Sequence, residues 1–183
     1  NGYYPFMATL DELRAAGTLS NGEDIPTLEE YLDHVMKKGS CTRLWLDIKN
    51  VTKPSTLVDY PVDACKIACE IVAEKKAEKW VEFICTGNEE VMALNIAWMA
   101  NRAASEYKAR GYEWANMDVK NMTDATHSGP RSVDEFVGEG LAISVYNVDK
   151  PKNMHYYMER IDKVKAICTN YPALLLAEME LKE

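Results

Sequence analysis

Residues 43–50, RLWLDIKN, restrict the fold more than any other stretch. The run alternates with the two-residue period of a β-strand. Leu44, Leu46 and Ile48 fall on one face; Trp45, Asp47 and Lys49 fall on the other. The apolar face calls for a covering layer of helices. The other face aims a carboxylate and an ammonium in one direction. Two arrangements satisfy this pattern. On an antiparallel sheet, Asp47 and Lys49 face solvent, where charges ordinarily stay. In a parallel sheet covered on both faces they point inward, which is costly without a partner ion, metal or phosphate.

The segments around this strand alternate in type. Thr9 with Glu12, and Thr27 with Glu30, have the spacing of capping boxes, which predicts helices over 9–16 and from Thr27 onward. In the second helix Leu28, Tyr31, Leu32, Val35 and Met36 form one apolar stripe; Lys37 and Lys38 suit its carboxyl end and Gly39 stops it. His34 lies at the edge of that stripe, as an ordinary, partly exposed helix residue. A loop is expected over 50–56, a long helix over 59–79, a turn at Gly87-Asn88 and a helix over 89–110. The polar stretch 120–131, which carries His127, has the length at which loops tend to be functional. Short helices follow over 132–138, capped by Ser132, over 153–161 and over 170–181. Strands are expected over 44–49, 81–86, 112–118, 141–147 and 165–169. Strand and helix thus alternate five times, the pattern of a parallel sheet.

Composition narrows the function. The 183 residues suffice for one core, and a hydrophobic content of 47% marks a globular chain, read as a single domain over 1–183 with a lead-in over 1–25. A net charge of −8, without a Lys/Arg-rich run, argues against nucleic acid as a partner. No apolar run reaches the roughly 18 residues of a transmembrane segment. Five cysteines without a C-x-x-C pair are expected to be buried free thiols rather than a disulfide framework or a zinc site. No G-x-G-x-x-G or Walker loop is present, so the sheet lacks the chemistry of a nucleotide-binding fold. Five β/α units also fall short of a complete eight-fold barrel, which typically needs roughly 250 residues.

Four stretches, in order, resemble the glycerophosphodiester phosphodiesterases. TLDELRAAGTLSNGEDIPTLEEYL resembles the family segment T-x-x-E-L … I-P-T-L-E-E-x-L. LWLDIKN resembles the strand L-x-I-E-I-K; VYNVDKPKNM is similar to V-W-T-V-N-x-x-x-x-M, and VKAICTNYPALL to V-D-G-I-I-T-D-x-P-x-x-L. The likeness runs from about residue 8 to the C-terminus. It does not include the family's opening HRG, E-x-D and HD strands, and His34, His127 and His155 do not stand in matching contexts. Near Cys85-Thr86-Gly87 the family's S-F pair is also missing. The resemblance therefore implies an α/β chain forming part of a TIM (β/α)8 barrel, about five C-terminal units with mostly parallel strands.

It further implies metal-dependent hydrolysis of a glycerophosphodiester to glycerol 3-phosphate and an alcohol. Asp47 falls at a metal-ligating glutamate of the family, one methylene shorter. Lys49 matches a phosphate-contacting lysine, and Tyr146 the aromatic wall of W-T-V-N. Core packing is the competing role for Tyr146. Asn147 stands for the family threonine and Asp149 for its asparagine. The cofactor implied is Mg²⁺ or Ca²⁺, held weakly with one ligand of three, and no catalytic histidine is matched. An isolated chain of this kind is expected to be inactive. The alternative is a non-catalytic binding or interaction domain derived from the same barrel. Either way, two open sheet edges, at 43–50 and 165–169, predict self-association or pairing with the unmatched N-terminal part.

Overall fold

A computed structural model of the chain describes residues 7–37, 42–49, 60–85, 97–98, 101–122 and 129–181. The expected loop at 50–56, the turn at 87–88, and Gly39, Cys41 and His127 lie outside them. Two compact units are formed, Asn1–Leu46 with Val51–Glu82, and Asp47–Asn50 with Phe83–Glu183.

The first unit holds α1 (Leu10–Ala16), α2 (Leu28–Val35) and α3 (Tyr60–Glu74). Both expected capping boxes form. The Glu12 backbone N–H donates to Thr9 Oγ1 at 3.3 Å while the Thr9 N–H donates to Glu12 Oε2 at 2.7 Å. Thr27 and Glu30 repeat the exchange at 3.2 and 2.7 Å. Each box satisfies amides that a helix start otherwise leaves without partners. Arg14 Nη2 then reaches Glu30 Oε2 at 2.8 Å, linking the two helix starts. Leu32 and Val35 of α2 are buried, as are Val62, Cys65, Ala68 and Val72 along α3. That spacing is one helix face. The helix ends earlier than the expected 79: Lys76 turns left-handed at φ 54°, and a 3₁₀ turn covers Glu78–Trp80.

Six strands form one sheet, in the order β1 (Leu44–Ile48), β2 (Val81–Cys85), β3 (Ala97–Trp98), β4 (Trp114–Asp118), β5 (Ala142–Tyr146) and β6 (Ala166–Ile167). From β2 to β6 each neighbour pairs parallel. The helices of the second unit are α4 (Ala104–Ala109), α5 (Val133–Gly138), α6 (Pro151–Met158) and α7 (Pro172–Glu180). α5 starts at the expected Ser132 cap, whose Oγ accepts the Glu135 N–H at 3.2 Å. α6 begins at Pro151, two residues before the expected start, because proline at the first helical position needs no donor there.

One correction concerns the expected helix over 89–110. Ala97 pairs with Ile84, and Trp98 with Ala115, so a sixth strand interrupts it. Asn101 then adopts φ 53° and Ala103 is extended, and α4 is the part of the expected helix that is helical among the described residues. The apolar spacing there fits a helix locally, but pairing on both flanks satisfies the backbone in the sheet instead.

On β4 and β5, Ala115, Met117, Ile143 and Val145 have no exposed surface and share one face. α4 packs on that face: Tyr107 Oη donates to Met117 Sδ at 3.4 Å. Phe136 of α5 meets the Tyr107 ring edge-on, centroids 5.7 Å apart. Among the described residues no helix is long and apolar enough to cross a membrane. Phe136 is fully buried in this cluster. Phe136→Ala is expected to lower unfolding free energy by about 3–5 kcal/mol in urea denaturation, the range for removing a buried aromatic ring; a loss below about 1 kcal/mol would contradict this packing.

A candidate active site at the carboxyl ends of the strands

The opposite face of β4 and β5 is polar. Asn116 and Ser144 sit level in the register and are almost fully buried. Ser144 Oγ donates to Asn116 Oδ1 at 2.8 Å, so each polar group meets a partner where an unpaired one would be costly. Two residues further along each strand, with the same pleat, come Asp118 and Tyr146, again level. Ala166 of β6 pairs with Ser144, so Cys168 follows on the side of Tyr146. The Cys168 N–H donates to the Val145 carbonyl at 2.9 Å, and its carbonyl accepts the Val148 N–H at 2.8 Å. Cys168 is exposed, against the expectation of a buried thiol. It falls just past a two-residue strand, the last in the order of the described sheet, where one flank has no neighbour among the described strands.

Asp47 and Lys49 enter at the carboxyl end of β1. They form an ion pair with each other, Nζ to Oδ2 2.5 Å, their side chains 35% and 65% exposed respectively. Neither is buried in the sheet interior, and the pairing to each other moderates both charges. The parallel sheet of the second expectation is present, with solvent reaching this pair as in the first.

The charge of Asp47 reaches two neighbours. The Tyr146 phenol has a raised pKa, foremost from burial and then from the negative charges of Asp118 and Asp47. The Cys168 thiol is also raised, by burial first and then by Asp149 and Asp47, with Lys49 opposing. In a flat sheet β1 and β5 would lie four spacings apart, about 19 Å at about 4.8 Å each. Charge effects in salt solution fade over about 8–10 Å. The strands therefore curl, and their carboxyl ends draw toward one another.

The turns beyond β5 and β6 are tied together. Asp149 Oδ1 accepts the Asn170 N–H at 2.8 Å and the Thr169 hydroxyl at 3.2 Å; its Oδ2 accepts Asn170 Nδ2 at 2.8 Å. The Asn170 backbone N–H is the main reason that the Asp149 carboxyl titrates below its ordinary value. A cavity of about 330 Å³ opens beside this clamp, lined by residues 118–120, Asn147, Asp149, Lys150 and Asn153.

His34 and His155 do not join this cluster. His34 Nδ1 lies 3.2 Å from Lys37 Nζ, and His155 Nε2 pairs with Glu178 Oε2 across α6 and α7. Among the described residues no group of three or more His, Cys, Asp or Glu side chains is placed to hold a metal ion. Asp47 is a hard oxygen donor suited to Mg²⁺ or Ca²⁺, but those ions take six or more such ligands including waters. The described residues do not fit a complete divalent-cation centre. Asp118 was not singled out from the sequence. Its signal was there: in WANMD it shares the parity of Asn116 and ends the strand, as Asp47 does in LWLDI.

A parallel sheet with interleaved helices and polar side chains gathered at the strands' carboxyl ends defines an α/β protein of the class that places chemistry at that end. No family model matches the sequence, and no curated protein does. Solved structures do. A glycerophosphodiester phosphodiesterase from Parabacteroides distasonis matches at TM-score 0.73 and 27% identity, over 95% of this chain and 71% of that one. A putative glycerophosphodiester phosphodiesterase from Galdieria sulphuraria matches at TM-score 0.68 and 17% identity, over 93% and 69%. A putative glycerophosphoryl diester phosphodiesterase from Silicibacter pomeroyi matches at TM-score 0.65 and 18% identity, over 86% and 58%. These likenesses support a place for the chain in the glycerophosphodiester phosphodiesterase family.

Curling of the sheet is open to direct test. Asp47→Asn removes a negative charge that raises the Tyr146 pKa, so the phenol is expected to titrate at lower pH in the variant. NMR of ring-labelled tyrosine, with Tyr146→Phe for assignment, reads the shift. An unchanged Tyr146 titration would separate the ends of β1 and β5.

Proposed function

We propose that this chain binds glycerophosphodiesters in the mouth of a partial (β/α)8 barrel, with the site built for hydrolysis to glycerol 3-phosphate and an alcohol. The observation that carries this reading is the convergence of Asp47, Lys49 and Tyr146 at the carboxyl ends of a curled parallel sheet. Lys49 offers a compact ammonium to the non-bridging phosphate oxygens. Its present partner Asp47 is exchanged for, or shared with, the incoming anion. Tyr146, half-buried and with a phenol pKa raised by that burial and by Asp118 and Asp47, would form a wall beside the phosphate. In the overall reaction a water oxygen bonds to phosphorus, the bond from phosphorus to the alcohol oxygen breaks, and the alcohol leaves with a proton.

A divalent cation, Mg²⁺ or Ca²⁺, would supply charge neutralisation at the phosphate, and Asp47 would be one of its oxygen ligands. Its other protein ligands would come from outside the described residues, with water completing the shell. General acid–base work would need an imidazole or carboxylic acid in reach of the leaving oxygen. His155 is engaged with Glu178 instead. These 183 residues alone are therefore proposed to turn over poorly, and the second reading, a non-catalytic binding domain on the same scaffold, is favoured by that same engagement. Among the described residues β1 and β6 are the outer strands of the sheet, and α7 leaves Leu176 59% exposed. Self-association, or pairing with further β/α units, is proposed to cover them.

Two measurements test this. Titration of the ¹⁵N-labelled protein with glycerol 3-phosphate is expected to perturb amides near 47–49 and 146–149, with affinity at least about 10-fold weaker in Lys49→Ala, the loss of roughly 1.4 kcal/mol of charge-assisted binding. Binding unaffected by Lys49→Ala would remove the phosphate role. Incubation of the purified chain with glycerophosphoethanolamine and either cation is expected to release almost no glycerol 3-phosphate. Turnover at the rate of a full-length homologue would overturn the inactivity.

A further inference from the structure

The cavity beside Tyr146 carries information about the alcohol. We propose that it is the seat of the leaving group and that it selects a small polyhydric alcohol, of the glycerol or inositol kind, over a quaternary ammonium alcohol or an acylated one. This rests on the reading of the phosphate site given above. The cavity begins at Asp118, which is level with Tyr146 across β4 and β5, so it adjoins the proposed phosphate position directly. Its volume of about 330 Å³ suits a small headgroup.

The lining decides the chemistry. It offers two carboxylates, two ammonium groups and two carboxamides, with Val119 as its apolar member. A hydroxyl both donates and accepts, so each hydroxyl of a polyol meets a carboxylate on one side and an ammonium or amide on the other. Opposite charges in equal number give no net pull on a cation. A quaternary ammonium has no N–H to donate and is best held by aromatic faces, and the lining has none. An acyl chain would bury the carboxylates and ammonium groups without partners, at a cost that excludes it.

The groups in the lining are not equally available. Both Asp149 oxygens already accept hydrogen bonds from Asn170 and Thr169, so Asp149 shapes the rim. Asp118 Oδ1 accepts the Lys120 N–H at 2.9 Å, while Oδ2 lies 4.0 Å from Lys120 Nζ, beyond hydrogen-bonding distance. Asp118 Oδ2 is therefore the acceptor offered to a ligand hydroxyl. Asn147 and Lys150, in the same lining, carry donors.

The test compares three ligands by NMR titration or calorimetry on the full 183-residue chain: glycerol 3-phosphate, glycerophosphoinositol and glycerophosphocholine. The expected result is that glycerophosphoinositol binds at least about 5-fold more tightly than glycerophosphocholine. Asp118→Asn, which keeps the size and loses the charged acceptor, is expected to reduce that ratio, as is Lys150→Ala at the exposed rim; dispersed amide spectra verify folding of both. Equal affinity of the two diesters, with glycerol 3-phosphate still bound through Lys49, overturns the polyol selection and leaves the phosphate reading standing. A preference for glycerophosphocholine also overturns it. Failure of all three to bind overturns both.

Discussion

The buried hydrogen bond between Ser144 and Asn116 sets the geometry on which the site depends. A strand that slips by one residue exchanges its two faces. Here a slip would leave one hydroxyl and one carboxamide buried without each other, and would carry Asp118 and Tyr146 to opposite sides. The same register buries Met117 and Val145 on the helix-covered face. Polar pairing on one face and apolar packing on the other thus demand one alignment. Its consequence lies two residues further on, where the strands run out of neighbours and their last inward side chains reach solvent.

That ending explains why a carboxylate and an ammonium are tolerated on β1. Midway along a doubly covered strand, Asp47 would lose hydration with little in return. At the carboxyl end it keeps about a third of its side-chain surface in water and takes Lys49 as counter-ion. An exposed pair of this sort contributes little to stability. Under the proposed function its value is chemical: a cation and an anion are held at one place, where an incoming phosphate would compete for the first and a metal ion for the second.

Much of this architecture is legible in the sequence because local signals and tertiary demands agree. Thr9 with Glu12 and Thr27 with Glu30 act within a few residues of themselves, and both boxes form. The alternation in LWLDI and AISVY reflects two different environments on the two faces of a strand. The short strand Ala97–Trp98 is different. Its residues sit in a run whose apolar spacing suits a helix, and only the partners Ile84 and Ala115, distant in sequence, draw it into the sheet. Cys168 was misjudged for a related reason: an apolar neighbourhood in sequence says nothing of whether a strand has a neighbour on its second flank.

In the family motifs that this chain resembles, an asparagine follows the aromatic strand and an aspartate follows the last one. This chain has Asp149 and Asn170 at those places, the same two side chains exchanged. The geometry explains why the exchange is tolerated. A hydrogen bond between a carboxylate and a carboxamide needs one acceptor and one donor, and it does not matter which turn supplies which. The Asn170 backbone N–H adds a second bond to the carboxylate, and Thr169 a third. Moving the charge from one turn to the other keeps the clamp between β5 and β6 but brings the negative group onto the strand-end loop that carries Tyr146 and Asn147. There it lines the cavity and pushes the Cys168 thiol toward its neutral form. The substitution thus keeps the two turns tied while placing a negative charge in the lining of the cavity beside the proposed phosphate position.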